Sequence, residues 1–316
     1  MDEDSPEDLA HEHLMELLFA GNPLAGSITG MPTSLRRITE PVIRKYHRAM
    51  YARENLVVSV AGHLSMAEAE EYFSKQFLDL PLRSIGPVVG MRRSEPVGMC
   101  ISERTGMNPG TDGKTVVARP RIRQSVKDIR QAQFCLGMRT MTLTHPRSYA
   151  LQILNGLFGA SDSSRLFQSI REQRGLAYTA YSDLGFFTRD AYFEIYAGVS
   201  PENLGKALAA VREEVFKLRD GQFTEEEVHT ARMELMADYV FSGESAEARM
   251  CTNGKNLLLY GKVFQPEEVL DGFRRVTKDD LEAVKDEIAS PSTVYLSVVS
   301  DRRMDRRKLD VYADYQ

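Results

Sequence analysis

The sequence predicts an α+β protein built on a repeated unit of one mixed sheet with packed helices, present once in full and once in part. Two observations carry this. Helix-like and strand-like stretches are mixed along the chain and do not segregate into separate halves. Two segments also read alike, Leu35-Arg36-Arg37-Ile38-Thr39 and Phe273-Arg274-Arg275-Val276-Thr277. In each, the threonine caps a helix and an apolar strand begins 17 residues beyond it, at Leu56 and at Val294.

The first element is a helix. Ser5 stands at its N-cap, Pro6 at the first helical position, and Asp8 completes a capping box; Ala10, Leu14, Leu17 and Leu18 share one face, and the helix ends near Gly21. After the turn-rich Gly21-Asn22-Pro23-Leu24-Ala25-Gly26, a helix is expected over residues 39–51, a buried strand over 56–61 and a helix over 66–77. Residues 82–130, rich in Gly, Pro and Arg, read as a connection with a candidate strand at 115–118.

Beyond it, residues 133–137 read as a strand and 146–158 as a helix with Ala150, Ile153, Leu154 and Leu157 inward. The turn Gly159-Ala160-Ser161-Asp162-Ser163 leads into a short helix stopped by Gly175. Residues 177–187 and 191–199 form a hairpin across Thr188-Arg189-Asp190, since Phe193, Ile195, Ala197 and Val199 alternate with Tyr192, Glu194 and Tyr196. Three helices follow, over 201–219, after the capping box of Thr224 and Glu227, and over 246–260. A last helix capped by Thr277 and Asp280 precedes a strand over 294–299.

The repeat divides the chain into a partial first unit (residues 1–90), a basic linker (91–130) and a complete second unit (131–316). The second unit has 146 residues ahead of its threonine and the first has 38, so roughly 108 residues, equivalent to the Gln133 strand, the Ser164 helix and the hairpin, have no counterpart. Such a half-unit leaves strand edges and apolar helix faces bare unless another segment or chain covers them.

Composition narrows the function. With 42% hydrophobic residues, 316 residues can bury two cores. The apolar runs are strand-length, short of the roughly 20 residues a membrane span needs, and the acidic start carries no signal-peptide pattern, so a cytoplasmic protein without membrane contact is expected. Cys100, Cys135 and Cys251 are odd in number, far apart and without CxxC spacing, and read as small buried residues. Residues 91–130 hold nine Lys or Arg against four Asp or Glu, yet no aromatic residue there could stack on bases, which argues against a nucleic-acid partner.

Ser163-Ser164-Arg165-Leu166-Phe167, Ile170-Arg171-Glu172-Gln173-Arg174-Gly175-Leu176-Ala177-Tyr178 and Tyr181 resemble the second domain of the pitrilysin/insulinase zinc metallopeptidases, which include the mitochondrial processing peptidases and bacterial relatives. Gly21-Asn22-Pro23-Leu24 with Gly30, and Tyr51 with Asn55, are similar to the later part of that family's first domain, so the resemblance spans nearly the whole chain. It implies the processing-peptidase-like metallohydrolase fold, homologous α+β domains facing each other across a cavity, with residues 1–90 the remnant of the first domain.

In that family an inverted HxxEH motif sets two histidines four apart on one helical face to bind zinc, while the intervening glutamate activates water. The six histidines here are His11, His13, His47, His63, His145 and His229, and no two are four apart. By resemblance the third-ligand glutamate falls a few residues before Asp2, and the chain is expected to begin just after it. Zinc is therefore expected of the family or of a partner subunit and not of this chain, no catalytic residue is assigned, and the chain is not expected to be active alone.

The resemblance does carry over a substrate-binding pair, Arg174 and Tyr181, whose guanidinium and phenol suit a peptide carbonyl and the oxyanion that develops from it. Read without it, Arg174 is a cation at a helix C-terminus and Tyr181 a sheet-surface residue. The implied function is a component of a zinc metalloendopeptidase that binds extended or unfolded polypeptide, partnered by a homologous HxxEH-bearing subunit or a second copy. The alternative is a non-catalytic peptide-binding or assembly subunit.

Other motifs fail on geometry. His11 and His13, two apart on a helix, point about 200° apart and cannot share an ion, so they read as a solvated helix face. The stretch from Gly106 to Thr115 has Asn108 where a phosphate loop needs glycine, and Gly159-Ala160-Ser161-Asp162-Ser163 lacks the last glycine of a nucleophile elbow. His63, His145 and His229 read as structural or exposed.

Overall fold

The computed structural model describes residues 5–52, 55–77, 121–289 and 293–312. They fall into two compact units, each discontinuous in sequence. Unit 1 takes the residues up to Thr29, those from 121 to Met236 and those from Leu270 onward; unit 2 takes Gly30 to residue 77 and Ala237 to Val269. Compactness thus cuts across the sequential division at 91–130.

Unit 1 is built on a mixed sheet of β1 (Ile122–Val126), β2 (Ala132–Arg139), β3 (Ala177–Phe186), β4 (Ala191–Val199) and β5 (Tyr295–Ser300), in the order β1-β5-β2-β4-β3. The expected hairpin is β3 with β4, Tyr181 opposite Tyr196 and Asp183 opposite Glu194. β2 runs antiparallel to both β4 and β5, and β1 lies parallel to β5. β1 corrects the linker: residues 122–126 belong to the sheet, because Ile122 is buried and the backbone pairs with Leu296–Ser300. The candidate strand at 115–118 and the glycine-rich stretch at 106–115 lie outside the described residues.

The helices are α1 (Pro6–Leu18), α2 (Pro32–Leu35), α3 (Glu40–Met50), α4 (Met66–Gln76), α5 (Ser148–Asn155), α6 (Leu204–Arg219), α7 (Glu225–Ser242), α8 (Ala246–Tyr260), α9 (Pro266–Arg274), α10 (Lys278–Ala289) and α11 (Arg306–Tyr312). Ser5 Oγ accepts from Asp8 N–H at 3.2 Å, Thr224 and Glu227 cap each other, and so do Thr277 and Asp280, whereas Thr39 stands at the N-cap of α3 without a capping hydrogen bond from its side chain. The helix expected over 146–158 narrows to α5 and continues as a π-helical turn, Gly156–Ala160. There Gly159 lets the turn press on Ser182 of β3, where a side chain would not fit.

Strand alternation separates the two sheet faces. Phe134, Leu136, Met138, Phe193, Ile195, Leu296 and Val298 share one face and are wholly or almost wholly buried. Phe158 and Ser182 meet on that side, Phe158 against Phe193 and Ser182 hydrogen-bonded to Asn155 of α5. α1 lies on the other face against β2 and β5, its Ala10, Leu14 and Leu18 forming a core with Cys135, Tyr196 and Val299.

Three sequence readings are corrected. Residues 56–61 form no strand, and Leu56, Val58 and Val60 are 40–45% exposed. The cause is local: among the described residues of unit 2 no strand pairs with them, whereas β5, which stands at the same spacing from Thr277, is flanked by β1 and β2. Cys251 is exposed on α8, while Cys135 is buried as expected and Cys100 lies outside the described residues. His11 and His13 are not a solvated face. His13 is buried beside Ser125 Oγ, and its pKa falls to about 4 because burial, then Arg123 and Lys127, oppose a charged ring. No described helix is long and apolar enough to cross a membrane.

Candidate functional site

The polar residues of the sheet converge under α1. Period-two alternation turns Cys135 of β2, Glu194 and Tyr196 of β4 and Tyr181 of β3 to the same face, and the pairings Cys135–Tyr196 and Tyr181–Tyr196 set them side by side. His11 descends from α1 among them. Its Nδ1 lies 3.1 Å from Glu194 Oε2 and 3.6 Å from Cys135 Sγ, and its Nε2 lies 3.3 Å from Tyr181 Oη. The Tyr196 ring stacks on the imidazole at 5.1 Å and its hydroxyl donates to Gln133 Oε1 at 2.8 Å.

Burial and charge set the protonation of this group. Burial opposes a charged His11, but the hydrogen bond and charge of Glu194, with Glu7 and Asp8, outweigh it and raise the imidazole pKa. Burial, then Glu7 and Glu194, pushes the Tyr181 phenol up. Burial, then Glu194 and Glu7, drives the Cys135 thiol well above its ordinary value. Phenol and thiol therefore stay protonated near neutrality and act as donors.

Arg174 sits elsewhere. It closes the π-helical turn Phe167–Gln173, just ahead of Gly175 with its positive φ of 56°, and donates to Glu213 Oε2 of α6 at 2.6 Å. Nearby, Arg171 lies over the rings of Phe167 and the exposed Tyr178. Arg165, at the head of the same turn, forks onto Glu227 of α7 at 2.7 and 2.9 Å. The two residues expected to bind substrate are thus held separately, Arg174 by Glu213 and Tyr181 by His11, and among the described residues no hydrogen bond joins them.

The side chains present do not fit the zinc of an HxxEH motif. His11 and His13 turn to different partners, Glu194 and Ser125. Among the described residues, one group of three metal-capable side chains comes within 4.8 Å of one another, and it is His11, Cys135 and Glu194. Spacing along the chain gives no hint of it, since the three are brought together from α1, β2 and β4. The available signal was Glu194, a carboxylate alternating with two tyrosines on a strand that a helix was due to cover.

The profile of a family described as "Peptidase M16 inactive domain" matches residues 37–235. The chain belongs to the peptidase M16 family. The resemblance read from the Ser163–Tyr181 region is borne out, and so is the α+β class. An uncharacterized zinc protease of Streptomyces coelicolor is 28% identical to this M16 chain over 308 residues, 97% of this chain and 64% of that protein. The uncharacterized zinc protease YmxG of Bacillus subtilis is 27% identical over 279 residues, 87% of this chain and 61% of that one. The chain thus spans about three fifths of the length of the curated relatives it matches.

Solved structures share the M16 fold. A peptidase M16 inactive domain from Pseudomonas fluorescens superposes with a TM-score of 0.75 at 20% identity, covering 96% of this chain and 68% of that one. A chain of Complex III2 from Candida albicans gives 0.74 at 12%, covering 99% and 72%.

Proposed function

We propose that this M16 chain is a component of a zinc metalloendopeptidase that holds extended polypeptide on its second domain, with Arg174 and Tyr181 binding the peptide backbone and an HxxEH-bearing homologue supplying the zinc. The observation that carries this reading is the state of Tyr181. Its phenol, protonated at neutral pH and held more firmly so by burial, is partly buried on the sheet and is steadied by one hydrogen bond to His11. A fixed neutral phenol is a donor suited to a carbonyl oxygen and to the oxyanion that forms from it. The Arg174–Glu213 pair is about one-third to one-half exposed, so its hold is weak and a peptide carbonyl can take its place.

Unit 2 supports the need for a partner. Among the described residues Val58 and Val60 have no strand partner, and they line a groove with Phe73 and Leu257. A homologous subunit or a second copy would cover such a face.

Fluorogenic-peptide hydrolysis tests the reading. The chain alone should be inactive, and mixing with an HxxEH-bearing M16 homologue should give turnover that Arg174→Ala or Tyr181→Phe lowers by roughly tenfold or more. Hydrolysis by the chain alone, or unchanged turnover in both variants, overturns it. A second reading, a non-catalytic peptide-binding or assembly subunit, is favoured by the engagement of Arg174 with Glu213 and by the fold likeness to a Complex III2 chain. It predicts peptide binding by fluorescence anisotropy with no gain in turnover on mixing.

A further inference from the structure

We propose that His11, Cys135 and Glu194 form a site for one borderline divalent transition metal of the zinc class, a donor set other than the two histidines and glutamate of the family motif. Ligation is through His11 Nδ1, Cys135 Sγ and a Glu194 carboxylate oxygen, with a fourth position left to water. Nδ1 stands 3.1 Å from Oε2 and 3.6 Å from Sγ, and the three donors lie within 4.8 Å of one another. A tetrahedral zinc with bonds of about 2.1 Å to nitrogen or oxygen and about 2.3 Å to sulfur separates its donors by about 3.4–3.6 Å. The two separations from Nδ1 therefore match to within a few tenths of an ångström, and the thiol and carboxylate, no more than 4.8 Å apart, close on the ion by side-chain rotation.

The scaffold favours it. Cys135 and Glu194 sit on adjacent strands in fixed register, so the backbone that carries two of the three ligands is held by the sheet. A thiolate and a carboxylate neutralise a dication, so the loaded site carries no net charge where burial makes an uncompensated one costly. Binding sends the Cys135 thiol proton to solvent as the metal–sulfur bond forms. His11, with 24% of its side chain exposed, is the point of entry.

One nitrogen, one sulfur and one oxygen select Zn²⁺ or Co²⁺ over Mg²⁺ and Ca²⁺, which take oxygen donors. The outer partner is also in place. With Nδ1 ligating, Nε2 carries the imidazole proton and donates to Tyr181 Oη at 3.3 Å, which fixes the ring and frees the phenol proton to point away.

The test uses the full chain with Cys100→Ser and Cys251→Ser, which leaves Cys135 as its sole thiol. The protein is stripped with chelator, checked for folding by circular dichroism and titrated with Co²⁺. Expected is saturable uptake of one equivalent with a near-ultraviolet thiolate-to-cobalt charge-transfer band. Zn²⁺ should bleach the band and Mg²⁺ should not. Cys135→Ser should abolish it, and His11→Gln or Glu194→Gln should weaken uptake at least about tenfold.

Absence of the band in the folded parent, or affinity unchanged by His11→Gln and Glu194→Gln, overturns the site. Should Cys135→Ser fail to fold, the parent spectrum decides alone. Peptide hydrolysis is not the readout, so the outcome is independent of the proposed peptidase role.

Discussion

Leu14 of α1 lies against Gly137 of β2 so closely that a Cβ at position 137 would stand 2.7 Å from Leu14 Cδ2 and 2.8 Å from Cδ1. The missing side chain is what lets the helix settle on the sheet and bring His11 down to Glu194. Gly137→Ala should therefore destabilise the chain by about 1–3 kcal/mol in urea denaturation. Leu14→Ala should cost about 2–5 kcal/mol by itself. The double variant should be more stable than the sum of the two losses implies, because the smaller residue relieves the clash. Strict additivity would mean that this contact does not limit the approach of α1.

The Arg165–Glu227 fork gives a pH signature. Burial works against ionisation of Glu227, yet the hydrogen bond from Arg165 and the cap of Thr224 outweigh it and hold the carboxyl below its ordinary value of 4.5. A depressed carboxylate pKa contributes stability that is complete above the unfolded value and is lost as pH falls through the folded one. Glu227→Gln should lower stability at pH 7 by about 1 kcal/mol, after allowance for the partial exposure of the carboxylate. Thermal melts of variant and parent should converge as pH drops below 4.5. A gap that persists in acid would assign the loss to packing.

Ser182 Oγ donates to Asn155 Oδ1 at 2.7 Å with both residues buried. Ser182→Ala leaves that amide oxygen without its donor and should cost about 1–3 kcal/mol by chemical denaturation. In a double-mutant cycle with Asn155→Ala, a coupling energy near zero would show that the bond contributes nothing.

Val58 and Val60, 45% and 43% exposed, give unit 2 an apolar strip without strand partners among the described residues. Val58→Thr with Val60→Thr should reduce concentration-dependent light scattering of the isolated chain while leaving its melting temperature nearly unchanged. Scattering that does not fall would place the association elsewhere.

Local chemistry was readable in the sequence wherever it was self-contained. The Ser5, Thr224 and Thr277 caps, the hairpin from Ala177 to Val199 and the apolar stripe of α6 depend on neighbours a few residues away, and all are present. Periodicity alone could not say which sheet a helix covers. His11 reads as solvated in the sequence because the strand it meets comes more than 100 residues later, and residues 56–61 read as buried because their pattern matches β5. The spacing of Arg174 and Tyr181 shows in the sequence, but the partner each holds, Glu213 and His11, is set by helix and strand packing that spacing does not encode.

α1 touches β2 and β5, so its bed is complete only when the chain has been made as far as Ser300. At a ribosome's pace of about 5–20 residues per second, the stripe of Leu9, Ala10, Leu14 and Leu18 waits roughly 15–60 s for β5, the last strand it will cover. Throughout that interval the nascent polypeptide carries an apolar stripe that β2 can cover only in part, a natural handle for a chaperone.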